Sequence, residues 1–205
     1  MLPAGLFTVE KLSAMVLLSS LVSRHSSLMK DHLVITAVGP DRVGLVEKIS
    51  HFLLHEGCNI EDSKMAVFCG EFTIILLVSG ETAALERVSN SFETWTSQTG
   101  LAFFGKRPTP KTHPESALPC KLLASCLDHP GVVHQVSSVL SGMGVNIESM
   151  ETKTYAAPMS GTPIFEMEAF LSVPAKVNLH ELRRTMDEIG KRENIDIEFS
   201  LLPKG

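Results

Sequence analysis

A chain of 205 residues holds either one large domain or two small ones. Its 44% hydrophobic and 20% charged residues are those of a globular chain able to bury a core, which excludes disorder as the default. A formal net charge of −5 provides no basic footprint for a phosphate backbone, so direct nucleic-acid binding is not expected.

In chain order, residues 1–29 come first. Their apolar patch, Ala14 to Leu18 followed by Leu21 and Val22, is too short and too broken by serine to span a bilayer, and no membrane association is expected. The clear patterning starts at His32, so this segment reads as a dispensable extension, with the functional chain beginning near Met29. Leu33 to Val38 is then a buried strand, rich in β-branched residues. Leu45, Val46, Ile49, Phe52 and Leu53 form the apolar stripe of a helix, which Gly57 ends in a left-handed conformation. Asn59–Phe68 and Glu71–Val78, joined at Cys69-Gly70, read as a hairpin. A second helix carries Leu85, Val88, Phe92 and Trp95, and Leu101 to Gly105 is a closing strand.

Residues 107–117 contain Pro108, Pro110 and Pro114 without periodicity and read as a semi-rigid linker. The pattern then repeats. Asp41 to Ser50 falls on Asp128 to Ser137, and Gly57-Cys58-Asn59-Ile60-Glu61 on Gly144-Val145-Asn146-Ile147-Glu148, both at an offset of 87. Two landmarks in one register mark a duplicated domain rather than a solenoid. The second copy has strands at Lys121–Cys126, Asn146–Tyr155, Pro163–Val173 and Ile195–Phe199. Its helices carry Val132, Val133, Val136, Val139 and Leu140, and then Leu179, Leu182, Met186 and Ile189. The expected fold class is α+β: two tandem ferredoxin-like βαββαβ domains, residues 30–106 and 118–205, each an antiparallel sheet with its helices on one face. The two copies are expected to associate through sheets or helices, and a homodimer is possible, because such sheets leave edges that need cover.

The segment Gly39-Pro40-Asp41-Arg42-Val43-Gly44-Leu45 carries the functional signal. Free amides at a helix start attract anions, and a glycine lets a ligand approach the backbone. Asp41, or the side-chain oxygen of Asn59, could accept the protons of an ammonium group. The alternative is structural: Asp41 caps the helix and Gly44 packs against the sheet. Other candidates are weaker. His51 and His55 lie off the apolar stripe and lack a metal motif; Glu166 and Glu168 read as the wet side of a strand. His129 and His134 read as cap or loop residues. Cys58, Cys69, Cys120 and Cys126 lack zinc spacing and are expected to be reduced core residues of a cytoplasmic protein. No hydrolase, phosphate-loop or dinucleotide motif is present, so no catalytic residue, cofactor or metal is expected.

Val34 to Val46, with Gly57 to Ser63 and Glu71-Phe72-Thr73, resembles the first half of bacterial glycine cleavage system transcriptional repressors, proteins of two ACT domains. The likeness is strong in the first copy and looser in the second. It implies binding of an amino acid such as glycine at domain interfaces, near the glycine loop and the second strand. The ligand set it points to is Asp41, Arg42, Gly44, Leu45, Asn59 and Ile60, with Asp128, Gly131, Asn146 and Ile147 in the second copy. It also implies a non-catalytic regulator that acts through a protein partner, a transcription activator, rather than on DNA. An allosteric amino-acid-sensing subunit of a metabolic enzyme is the alternative.

Overall fold

The computed structural model describes residues 31–109 and 117–202, which form two compact units. The apolar patch at 14–18 and most of the proline-rich linker lie outside the described residues.

The first unit runs β1 (Asp31–Pro40), α1 (Leu45–His55), β2 (Asn59–Phe68), β3 (Glu71–Gly80), α2 (Thr82–Asn90), α3 (Phe92–Thr99) and β4 (Ala102–Lys106). Its sheet has the order β2-β3-β1-β4, antiparallel throughout. Alternation along β3 explains why one face is covered. Phe72, Ile74, Leu76 and Val78 are buried beneath the helices, while Thr73, Ile75 and Leu77 turn to the open side. Leu45, Ile49 and Leu53 recur every four residues on α1 and close over that layer, and each such fully buried side chain contributes about 1.5–3 kcal/mol.

The second unit repeats the plan with β5 (Ala117–Leu127), α4 (Val132–Gly142), β6 (Asn146–Ala156), β7 (Pro163–Pro174), α5 (Leu179–Glu193) and β8 (Asp196–Leu201). Its order β6-β7-β5-β8 matches that of the first. Each core is the unit's own: Phe72, Leu76, Leu85 and Leu101 in one, Leu122, Leu140, Leu171 and Leu182 in the other. The α+β class and the two tandem ferredoxin-like units are as the sequence predicts.

Two details differ. The single helix expected through Leu85 and Trp95 is broken at Ser91 into α2 and α3. The hydroxyls of Ser89 and Ser91 donate back to the carbonyls of Leu85 and Arg87, a local competition with the backbone ladder that bends helices. The break lets Phe92 reach Trp95 and Phe103, with ring centroids at 5.8 and 5.9 Å. The second difference concerns the cysteines: Cys58, Cys120 and Cys126 are buried, but Cys69 is exposed. It sits at the β2–β3 hairpin tip with φ 50° beside Gly70 at φ 86°, because a two-residue turn puts both central residues in the left-handed region. Burial pushes the other three thiols up from their ordinary value.

Candidate functional site

The loop between β1 and α1 is held by two contacts from distant parts of the first unit. The Asp41 amide donates to the Gly70 carbonyl at 2.8 Å, tying the loop to the hairpin tip. The Arg42 guanidinium donates to the Thr99 carbonyl at the end of α3. Arg42 therefore fastens the loop, and its charge is directed at the last turn of a helix, where a cation is favoured.

Gly44 is the N-cap of α1, with φ 91° and no side-chain cap. The capping reading of Asp41 is thereby corrected, since the cap position falls three residues later. Nothing lies within 4 Å of where a Gly44 side chain would start, so the glycine is required by its left-handed backbone and not by close packing against the sheet. Among the described residues no side chain caps the first-turn amides of α1, and such amides attract negative charge. Asp41 is exposed and its carboxylate has no partner among the described residues, while Val43 stands fully out at the loop tip. Leu45 is 4% exposed and belongs to the core.

The other half of the candidate set lies elsewhere. Asn59 pairs with Ser79, and Ser79 with His32, whereas Pro40 pairs with Glu71. Asn59 and Asp41 thus stand at opposite ends of the same sheet, about 26 Å apart at the rise of a strand. One unit does not bring them together. At its own end Asn59 lines a shallow cavity of about 380 Å³ with Ile60, Glu47 and His51. Its amide donates to Glu61 at 3.2 Å, and Ser79 donates to the same carboxylate. A β-bulge between Ile60 and Asp62 turns Glu61 toward them, a device the sequence did not announce. Ile60 packs against the core.

The second unit repeats this geometry closely. Gly131 caps α4 at φ 104° without side-chain help, and the Asp128 amide donates to the Pro163 carbonyl at 3.0 Å. Asp128 and Gly131 border a cavity of about 420 Å³ with His129 and His134. Asn146 donates to Glu148 at 2.6 Å, beside another bulge between Ile147 and Ser149. Asn146 and Ile147 line a separate hollow of about 680 Å³ along α4.

The open face of the second sheet also holds more than the sequence reading assigned to it. Glu166 and Glu168 are not without partners: Lys153 and Lys121 reach them at 2.8 and 2.6 Å, and the Tyr155 hydroxyl donates to Glu166 at 2.6 Å. Hydrogen bonds from Lys153 and then Tyr155 hold the Glu166 carboxyl below its ordinary value. Among the described residues no group of His, Cys, Asp or Glu could hold a metal ion, and no helix is long and apolar enough to cross a membrane.

Comparison with known proteins follows the same lines. Residues 31–105 match the ACT domain family. The glycine cleavage system transcriptional repressors of Escherichia coli (strain K12) and Shigella flexneri are each 30% identical over 126 residues, 62% of this chain and 66% of theirs. The chain thus spans just under two thirds of these curated relatives. A crystal structure of a protein of unknown function from Galdieria sulphuraria matches with a TM-score of 0.72 at 26% identity, over 85% of this chain and 100% of that one. Another, provisionally named a glycine cleavage system transcriptional repressor, matches with a TM-score of 0.64 at 26% identity, over 86% and 99% of the respective chains. With its first unit matched as an ACT domain and its second built on the same plan, the chain consists of two tandem domains of the ACT-type fold and is similar to the glycine cleavage system transcriptional repressors.

Proposed function

We propose that the chain is a non-catalytic cytoplasmic sensor that binds a small amino acid, glycine being the first candidate, and regulates the transcription of glycine-cleavage genes through a protein partner. The observation that carries this reading is the loop at Gly44. A left-handed glycine caps α1 with no side-chain cap, beside the Asp41 carboxylate, which has no partner among the described residues. Amides for a carboxylate and an acid for an ammonium are the two demands of an amino-acid zwitterion. The names of the relatives support the regulatory role; the partner, a transcription activator, belongs to this reading. The net charge of −5 favours action through protein contacts over direct contact with nucleic acid.

A thermal-shift screen of amino acids and purines on the full chain tests the ligand. A compound that binds only the folded state, at a hundred times its Kd, adds about 2.7 kcal/mol, which for a unit of this size raises its Tm by about 10–20 °C. Asp41→Asn should unfold at the parent temperature, because Asp41 does not cap, and should lose most of the shift. If no amino acid moves the transition, or if calorimetry finds the variant binding like the parent, the proposed site is wrong. Copurification separates the roles: a transcription regulator supports this one, and a biosynthetic enzyme in its place points to a regulatory subunit.

A further inference from the structure

The helix-free faces of the two sheets differ in charge although their registers correspond row by row. In the first unit two neighbouring rows read Lys64, Ile75, Thr36, Phe104 and Ala66, Thr73, Val38, Ala102. The same rows in the second read Glu151, Glu168, Leu123, Glu198 and Lys153, Glu166, Ser125, Asp196. One ammonium group in the first is answered by five carboxylates and one ammonium in the second.

Glu166 and Glu168 have lysine partners, whereas the carboxylates of Glu151, Asp196 and Glu198 have no ion pair or hydrogen bond among the described residues. Glu151 stands directly opposite Glu168 on the neighbouring strand, and like charges so placed work against the sheet that holds them. The carboxylates and Leu123 line a hollow of about 350 Å³. Phe170, 39% exposed, adds an apolar group in the next row. Four strands at their usual spacing make this surface about 14 Å wide, broader than a single small cation needs.

We propose that the open face of the second sheet is the docking surface for a basic segment of a protein partner, which offers arginine or lysine to Glu151, Asp196 and Glu198 and apolar groups to Leu123 and Phe170. Complementary charge of this kind sets orientation and association rate. It also removes the like-charge strain between Glu151 and Glu168. The proposal deepens the partner reading above by giving the chemistry of the contact, and rests on it for the partner being a protein.

The test uses the full chain and a fluorescein-labelled twelve-residue peptide of alternating arginine and leucine, with a glutamate-for-arginine counterpart, followed by fluorescence anisotropy. The arginine peptide should bind at low salt and weaken as salt is added, and the counterpart should not bind. Glu151→Gln with Glu198→Gln should weaken binding by about tenfold, as expected for two exposed charge pairs. The same pair of substitutions should leave the denaturation midpoint unchanged or raised, because it removes like-charge repulsion. Lys64→Gln on the first sheet should leave binding unaltered. Equal binding by parent and double variant, or no binding by the parent at low salt, overturns the proposal. So does a fall in the midpoint, which would make these carboxylates structural, or full competition by spermidine at peptide concentrations, which would make the surface a small-cation site. The amino-acid thermal shift measured on the same double variant keeps the two readings apart: it should be intact whether or not the peptide binds.

Discussion

At the scale of the residue, Tyr155 is a built-in probe, because it is the one tyrosine of the chain. Its hydroxyl donates to the Glu166 carboxylate, and that bond, together with burial and the carboxylate's charge, raises its ionisation above 10.0. With Glu166 ionised, the bond is present up to the free tyrosine value and is lost as pH rises through the higher folded value. Ultraviolet titration of tyrosinate should therefore show a midpoint above that of a free tyrosine, and Glu166→Gln should bring it down. An unchanged midpoint would mean that the hydroxyl does not address the carboxylate in solution. The candidate ligand residues divide on the same scale. Asp41, Gly44 and Asn59 are proposed from the sequence because residue type and position each imply a chemistry. The part played by Arg42 is not legible there, since its partner Thr99 lies 57 residues away, and no local pattern records such a contact.

At the scale of the element, Gly190 shows how packing reverses a propensity. Alanine in place of glycine inside a helix normally stabilises by about 0.5–1 kcal/mol. In α5, however, an added Cβ would lie 2.6 Å from the Ile195 carbonyl oxygen, where the chain turns from the helix into β8. The Ile195 amide also donates to the Gly190 carbonyl at 2.8 Å, so the two backbones cannot separate freely. Gly190→Ala should lower stability by about 1–3 kcal/mol, the usual cost of overpacking, seen as a reduced denaturation midpoint; a raised midpoint would sink this account. Helices and strands were otherwise readable from the periods of their apolar residues. The exception, the division of the second helix at Ser91, arose because apolar spacing continues through Phe92 and Trp95 while the serine hydroxyls capture the carbonyls. Periodicity does not register that competition.

At the scale of the whole molecule, charge supports a further expectation. Gel shifts with the purified chain and duplex DNA should be blank at moderate salt, because a net charge of −5 repels phosphates and the helices of each unit lie on its sheet. A tight, sequence-specific complex formed without a second protein would overturn the reading of a sensor that acts through protein contacts. The order of each sheet leaves β2 and β4, and likewise β6 and β8, as edge strands, surfaces on which homodimers of such proteins can form; sedimentation would measure this directly.

The sequence by itself determined the duplication, the α+β class and the glycine loops. Each is written in local order: an offset kept through two landmarks, strand and helix periods in succession, and a glycine where the backbone turns left-handed. Only the tertiary structure decided how those pieces meet. It showed that Gly44 rather than Asp41 caps the helix, that Cys69 escapes the core, and that the second sheet gathers its carboxylates on one open face. It also separated the candidate residues, placing the loop of Asp41 and the strand start of Asn59 at opposite ends of one sheet. The physical reason is that α1 returns the chain along the full length of β1 before β2 begins, so residues 18 positions apart in sequence are divided by the whole span of a strand.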